Sequence, residues 1–317
     1  MRLVLRVMLI GICCGGGPLA KIAADDGASA SDLRQVMAHL GQRKITRGEL
    51  ELHRGGPLRA GPAAEAESTV VEQTALHLLA LQGQALQTLR AHQLAASNEE
   101  VEAWITSHPP PQAAHLPPNA TVEQLIHAVC EQYEVEEFVY RDVIAFRLSW
   151  QRYLAKYLTE QNVGRHFKNQ AARFDGTRFQ VQQLSIAVPA GASAERERAA
   201  ERLEQFRAAV VELDTEWDKR LARDFPHQAQ PLPMRWVRGT GDLDPHLIGA
   251  LLATDVGGLT AVTHTATGVH LLRLLQREPG NLTVEDVSAE VRGHLLLFLL
   301  EHLAQQSQAK LPLRALP

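Results

Sequence analysis

Apolar residues follow a helical period through the N-terminal half of the chain. Between residues 64 and 96 they recur at mixed intervals of three and four, which predicts a long amphipathic helix. Ser97 followed by Glu100 predicts a capping box at the start of a short helix. Thr121 predicts the cap of a further helix, which we expect to run to about Glu160.

Further along the chain the pattern changes from helical to alternating. Asp175 and Gly176 predict a turn, and a strand is expected to follow it. Period-2 alternation places on one face of this strand the side chains of Phe179, Val181, Gln183, Ser185 and Ala187. Residues 193–223 are helical again, and Asp244 with Pro245 predicts the start of a short helix.

Residues 257–278 predict a β-hairpin. Gly257 permits a turn with positive φ, residues 260–265 are rich in β-branched side chains, and residues 266–268 form a second turn. In the second strand, alternation separates Val269, Leu271 and Arg273 from His270, Leu272 and Leu274. His270 therefore points in the same direction as apolar side chains. A buried core histidine and a functional histidine both fit that position.

A last helical pattern covers residues 283–306. Its apolar side chains need a partner surface, so we expect this helix to pack on the N-terminal helices. The predicted fold class is α+β, with a helical module and a small domain built on an antiparallel sheet. The expected divisions are an export signal at residues 1–30, the helical module at 31–173, the small domain at 174–278 and the C-terminal helix at 279–317.

Composition narrows the class of function. The chain has 317 residues, of which 45% are hydrophobic and 21% charged, as in a globular protein. Its formal net charge is -4 and it has no basic block, so a nucleic acid partner is not expected. Fourteen histidines are scattered without a ligand spacing, so neither a metal nor a cofactor is predicted.

The first residues resemble an export signal. Arg2 and Arg6 supply positive charge, and residues 3–19 are otherwise largely apolar. Cleavage after Ala30 fits a small-x-small pattern, and a cut near Ala24 is the other option. We expect an exported protein of the periplasm or cell envelope. An uncleaved membrane anchor is the alternative, although the run is shorter than the roughly 20 residues of a span. Peripheral membrane association is left open as well.

Cysteine usage agrees with this division of the chain. Cys13 and Cys14 lie in the expected signal, where they also raise lipidation as an alternative. Only Cys130 remains beyond residue 30, so no disulfide framework is expected within one mature chain.

Thr265, Gly268 and His270 form a T-x-x-G-x-H pattern ahead of an apolar run. This pattern resembles the last strand of the parvulin family, whose members catalyse cis/trans isomerisation at X-Pro bonds and include exported folding factors of the PpiC and SurA type. The turn and strand at residues 174–188 resemble the first parvulin strand. Residues 45–50, and the order of a long and a short helix after them, resemble the helical chaperone part of SurA-like proteins.

The resemblance implies a site without metal or covalent chemistry. Parvulins place two histidines on neighbouring strands under a Cys or Asp, beside an apolar slot for the proline ring. By position, the catalytic candidates are His270, Thr265, Gln183 and Asp224. The candidates for binding the client are Leu243, Leu247, Leu252 and Trp236.

The chain also departs from the parvulin pattern. Gln183 stands where the family has its first histidine, and residues 231–234 replace a Gly-Gly pair. Two functions follow as hypotheses. The first is an exported peptidyl-prolyl cis/trans isomerase-like folding factor that binds unfolded or proline-containing segments. The second is a non-catalytic holdase or assembly chaperone. The sequence does not predict the client or the oligomeric state.

Overall fold

The computed structural model describes residues 33–40, 43–54, 65–188, 192–212, 217–226, 233–265, 267–307 and 313–315. It is an α+β protein, as predicted, and forms two compact units. The second unit is Glu160–Arg292, and the first comprises the chain before and after it. The expected export signal lies outside the described residues, and the predicted domain limits stay predictions.

Helices and strands occupy most of the described chain. In chain order they are β1 Val36–Leu40, β2 Arg43–Thr46, α1 Arg47–Arg54, α2 Glu65–Ala91, α3 Asn98–Ser107, α4 Val122–Tyr133, α5 Glu137–Tyr157, α6 Glu160–Asn169, α7 Ala171–Phe174, β3 Arg178–Ala187, α8 Ser193–Glu212, α9 Trp217–Asp224, β4 Arg235–Arg238, α10 Pro245–Leu252, β5 Thr263–Thr265, β6 Gly268–Glu278, α11 Ser288–Gln305 and β7 Leu313–Ala315. Among these described helices, none is long and apolar enough to cross a membrane.

The predicted cap of α3 is confirmed. The Ser97 side chain accepts a hydrogen bond from the backbone N–H of Glu100, and the Glu100 carboxylate accepts one from the backbone N–H of Ser97. Thr121 and Gln124 form the same reciprocal pair at the start of α4. These contacts satisfy N–H groups that the first turn of a helix leaves without partners.

The helix expected from Thr121 to about Glu160 is wrong in its length. Glu134 adopts a left-handed backbone conformation with φ of 49°, which ends α4, and α5 begins at Glu137. The backbone N–H groups of Glu134 and Val135 both donate to the carbonyl of Cys130. A helix end of this kind usually carries glycine, so its sequence signal is absent here.

The first unit contains a small sheet that the sequence did not predict. Strand β1 lies between β2 and β7 and pairs antiparallel with both. Ala38 on β1 and Ile45 on β2 are fully buried, and they pack with Leu50, Leu76 and Leu79. The strands are three to five residues long, too short for alternation to distinguish them from loops.

The C-terminal helix starts later than expected, at Ser288. The backbone N–H and the hydroxyl of Thr283 both donate to the carboxylate of Asp286, which forms a turn ahead of the helix. From Gly293 onward this helix belongs to the first unit. There the buried hydroxyl of Thr88, on α2, donates to the carbonyl of Leu303 at 2.8 Å.

The second unit is built on a four-stranded antiparallel sheet in the order β4-β3-β6-β5. Its central pair is β3 and β6, in which Ser185 lies opposite His270 and Gln183 lies opposite Leu272. This confirms the prediction that the strand around Gln183 neighbours the strand around His270. The turn before β3 is also confirmed, because Gly176 has φ of +86° and the Asp175 side chain accepts from the N–H of Thr177.

Each face of this sheet carries a buried hydrophobic cluster. The face toward α8 and α9 buries a cluster that includes Leu184, Leu203, Phe206, Trp217, Leu221, Val269 and Leu271. The face toward α10 buries Phe179, Val181, Val237, Leu247, Ile248, Leu251, Leu272 and Leu274. The alternation predicted for the hairpin is confirmed, since Leu271 and Leu272 fall in different clusters. The helix expected at residues 193–223 is present as α8 and α9, and residues 213–216 between them lie outside the described chain.

Thr88→Val should lower the free energy of unfolding of the first unit by about 1 kcal/mol, because valine keeps the shape of threonine and removes a buried donor. Thr106→Val is the control, since the exposed Thr106 hydroxyl donates to the carbonyl of Glu102 in its own helix, and a change within about 0.5 kcal/mol is expected. Urea unfolding measures both. Equal effects of the two substitutions would contradict the proposed contribution of the Thr88 contact.

Candidate functional site

The T-x-x-G-x-H residues form the end of the hairpin made by β5 and β6. Thr265 lies opposite Gly268, and Thr263 lies opposite His270. Gly268 has φ of +154°, and a Cβ atom added there would lie 2.2 Å from the carbonyl oxygen of Ile186. Only glycine permits this approach of β6 to β3, which explains the glycine of the pattern.

A chain of side-chain hydrogen bonds crosses the sheet at His270. The Gln183 Nε2 atom lies 3.0 Å from His270 Nδ1, although the two residues are 87 positions apart in sequence. On the other side of the ring, His270 Nε2 lies 2.7 Å from the Thr265 hydroxyl oxygen. Gln183, His270 and Thr265, three of the four predicted catalytic residues, therefore meet in one network.

The network continues at both ends. The Thr265 hydroxyl oxygen lies 3.0 Å from that of Thr267 and accepts a hydrogen bond from the Thr267 N–H at 3.2 Å. At the other end the exposed guanidinium of Arg235 donates to Gln183 Oε1. Arg235 is opposite Val181 in the β3–β4 register, on the same face as Gln183. The hydrogen-bond network thus extends from the exposed Arg235 to the turn of the hairpin.

His270 and Thr265 are buried, with relative exposures of 7% and 8%. Burial lowers the pKa of His270 below its ordinary value, because the charged imidazolium loses its hydration. The carboxylate of Asp244 opposes this lowering of the pKa, and the guanidinium of Arg196 adds to it. Burial therefore favours the neutral imidazole over the imidazolium.

Arg196, at the start of α8, fixes the end of the hairpin. Its Nη1 atom donates to the Thr265 carbonyl at 2.7 Å, and its Nη2 atom donates to the Val188 carbonyl at 3.2 Å. These bonds connect the end of β5 to the residue that follows β3. Arginine suits this position, since its fork of N–H groups can bind two carbonyls at once.

The three leucines predicted to bind the client lie near α10, on the face of the sheet that carries His270. Leu243 and Leu252 are half-buried and pack against the cluster that contains Leu272, two residues from His270. Leu247 is only 3% exposed and belongs to the core of that cluster. Of the three leucines, Leu243 and Leu252 therefore keep surface that a ligand can contact. Leu247 belongs to the buried cluster against which Leu243 and Leu252 pack.

The structure does not bring Trp236 to this network. Trp236 is opposite Gln180 in the β3–β4 register, on the face of the sheet away from Gln183. Its ring is partly exposed, and the guanidinium carbon of Arg178 lies over it, 5.3 Å from the ring centroid. A role for Trp236 in binding a client stays a prediction.

Asp224, at the end of α9, is also engaged elsewhere. Its carboxylate accepts hydrogen bonds from Arg220 at 2.5 Å and Arg223 at 2.9 Å. These arginines lower the pKa of the Asp224 carboxyl. Its neighbours in sequence, Leu221 and Phe225, belong to the cluster on the opposite face of the sheet from His270. A catalytic role for Asp224 stays a prediction that no contact with His270 supports.

Sequence reasoning missed four residues of this site. Asp244 is recognisable only as the cap of α10, where its side chain accepts from the His246 N–H at 2.9 Å. Arg196 falls in a charged run that fits a solvated helix face. Thr267 and Arg235 carry no signal of their own, since their roles depend on the hairpin turn and on the β3–β4 register.

The chemistry of this face is that of oriented dipoles on an apolar surface. Both ring nitrogens of His270 have partners within the protein. In the described part of the chain there is no group of three or more His, Cys, Asp or Glu residues that could hold a metal ion. The half-buried surface of Leu243 and Leu252 can hold an apolar ring on the sheet face that carries this hydrogen-bond network.

Solved structures of foldases and chaperones resemble this chain at a low level. The match to the peptidylprolyl isomerase PrsA of Bacillus anthracis spans 71% of this chain and 94% of the PrsA chain, at 14% identity and a TM-score of 0.34. Foldase protein PrsA of Streptococcus pneumoniae covers 79% and 89%, at 12% identity and a TM-score of 0.31. One of the SurA-like chaperones PEB4 and Cj1289 of Campylobacter jejuni covers 89% and 99%, at 12% identity and a TM-score of 0.24.

No family model and no curated protein matches this chain. TM-scores and identities as low as these assign no family.

Gly268→Ala should destabilise the second unit by about 3 kcal/mol or more, because the added Cβ meets backbone that cannot move aside without breaking the β3–β6 pairing. Gly164→Ala in α6 is the matched control. A Cβ there has no neighbour within 4 Å, so alanine should stabilise the helix by up to about 1 kcal/mol. Chemical denaturation distinguishes the two signs, and a neutral Gly268→Ala would refute the close approach.

An NMR titration should give His270 a pKa below 6.5. Asp244→Asn should lower it further, since asparagine still caps α10 but removes the charge that favours imidazolium. Asp218→Asn, at an exposed position on α9, should leave the His270 pKa unchanged. A rise in the His270 pKa in Asp244→Asn would contradict the assignment.

The lowered pKa of His270 also makes the stability of the second unit depend on pH. The unfolded chain binds a proton at His270 more readily than the folded chain does. The contribution of His270 to the free energy of unfolding is therefore complete above about pH 6.5 and decreases as the pH falls toward the folded pKa. His270→Gln should reduce this acid loss, as measured by urea unfolding between pH 7 and pH 5.

Proposed function

We propose that the second unit is a peptidyl-prolyl cis/trans isomerase-like domain of an exported folding factor. In this proposal it holds proline-containing segments of unfolded clients against the sheet face that carries His270. The observation that carries the proposal is the 3.0 Å contact between Gln183 and His270 on adjacent antiparallel strands. It supports a site at the position where the T-x-x-G-x-H pattern implies one.

Isomerisation of an X-Pro bond requires rotation about a partial double bond with a barrier of about 18 to 20 kcal/mol. A catalyst can lower this barrier with an apolar surface for the ring and fixed dipoles that favour the twisted amide over the planar one. Leu243 and Leu252 supply half-buried apolar surface, and the network through His270 supplies dipoles. No covalent step is required.

We expect the activity to be weak. Gln183 replaces one imidazole of the pair that the parvulin resemblance implies, and both nitrogens of His270 bond within the protein. Loss of one polar partner in a preorganised site can cost a factor of about 100 in rate. The same observation favours the alternative, a non-catalytic holdase or assembly chaperone whose second unit only docks extended peptide.

The remaining parts of the proposal rest on the sequence. The charged and apolar residues at positions 1–19 favour export to the periplasm or cell envelope. We propose residues 31–173 with the C-terminal helix as the chaperone module, and unfolded polypeptide as its client.

Tyr153, Trp150 and Phe146 stack along α5, but Trp150 and Phe146 are buried and act as core. Client binding by the first unit would use other, exposed residues.

Gln183→His should raise isomerase turnover on a proline-containing model peptide, because it restores an imidazole beside His270. Gln180→His is the matched control, since Gln180 lies on the same strand and faces the other side of the sheet. Protease-coupled or NMR exchange assays measure the rates. Equal rates in both variants and the wild type would favour the holdase.

His270→Ala should abolish the isomerase activity and leave suppression of client aggregation nearly unchanged. The loss follows from removing the centre of the dipole network, whereas apolar contacts with Leu243 and Leu252 persist. Full activity in His270→Ala would show that the site lies elsewhere.

A further inference from the structure

We infer that Arg235 is a positioning residue, which sets the direction of the hydrogen-bond chain and thereby decides which ring nitrogen of His270 carries the proton. Arg235 is exposed at the edge of the sheet and contacts Gln183, not the ring itself. It therefore acts through the orientation of another side chain. Only its effect on isomerisation rests on the proposed function.

The direction starts at the guanidinium, which has N–H donors and no acceptor. Arg235 therefore holds the Gln183 carbonyl oxygen, and the Gln183 NH₂ group must point to His270. Because an NH₂ group donates, His270 Nδ1 must accept and carries no proton. The neutral ring then has its proton on Nε2, which donates to the Thr265 hydroxyl oxygen.

The hydrogen bonds at Thr265 and Thr267, at the other end of the network, agree with this direction. The Thr265 oxygen accepts from the ring and from the backbone N–H of Thr267, so its own proton is free to point to the Thr267 hydroxyl. Every contact from Arg235 to Thr267 then joins one donor to one acceptor. If the Gln183 amide flipped, its NH₂ group would face the guanidinium, and two donors would oppose each other.

The same direction opposes protonation of His270. An imidazolium ring carries N–H on both nitrogens, and its Nδ1–H would face the Gln183 NH₂ group. Two other charges act on the ring: the Asp244 carboxylate favours the imidazolium and the Arg196 guanidinium disfavours it. Arg235 adds a constraint of a different kind, since it acts through the direction of the hydrogen bonds.

Arg235→Leu tests this role in the purified full chain. Long-range ¹H–¹⁵N NMR distinguishes a protonated ring nitrogen from an unprotonated one, and loss of signals in His270→Gln assigns His270. Wild type should show His270 protonated on Nε2. In Arg235→Leu the amide can flip, because its NH₂ group would no longer face a guanidinium that can only donate, so the population protonated on Nδ1 should rise by about tenfold or more.

Arg238→Leu is the matched control. Arg238 lies on the same strand, is also exposed and carries the same charge, but it is opposite Arg178 on the other face of the sheet. It should leave the His270 tautomer as in wild type. Gln183→Glu is the positive control, because a carboxylate only accepts and should draw the proton to Nδ1 whether or not Arg235 is present.

Two results would overturn the inference: a wild-type ring protonated on Nδ1, or the same tautomer in Arg235→Leu as in wild type. Isomerase assays separate this inference from the proposed function. A fall in kcat with KM unchanged in Arg235→Leu supports a role in positioning the catalytic dipoles. If wild type has no isomerase activity while the tautomer shifts as expected, the proposed function fails and the positioning role of Arg235 stands.

Discussion

The site depends on the antiparallel register of β3 and β6. Ser185 lies opposite His270, which places Gln183 on the same face one pair further along. A slip of one residue would turn one of the two side chains to the other face of the sheet. Burial on both faces prevents this slip, since Leu184 packs toward α8 and Val181 packs toward α10. Packing of the hydrophobic core therefore places Gln183 beside His270. The hydrogen bonds of the network then determine which atom donates and which accepts.

Local signals explain what could be predicted from the sequence. Alternation is a property of a single strand, so the faces of Gln183 and His270 could be read before the strands were known to pair. Capping at Ser97 and Thr121 is equally local. The end of α4 was not predictable in this way, because Glu134 adopts the left-handed conformation without the glycine that signals it.

Contacts that depend on pairing between distant segments explain what could not be predicted. Arg235 reaches Gln183 only because β4 pairs with β3 in one register, and the same register turns Trp236 to the other face. Strand β7, near the end of the chain, pairs with β1 near its start. Neither strand has a pattern long enough to reveal its partner. Resemblance identified the residues around His270, but it could not supply the arginine that accompanies Gln183.

The direction of the network also defines what position 183 must provide. Its side chain has to accept from Arg235 and donate to His270 at the same time, while remaining neutral beside a guanidinium. An amide does both, because its oxygen and nitrogen stand side by side. A neutral imidazole can also do both, accepting at one nitrogen and donating from the other, whereas a carboxylate can only accept. Glutamine at this position therefore joins Arg235 to His270 through a side chain that carries no charge. For this reason the hydrogen-bond order at His270 depends on Arg235 and on the kind of side chain at position 183.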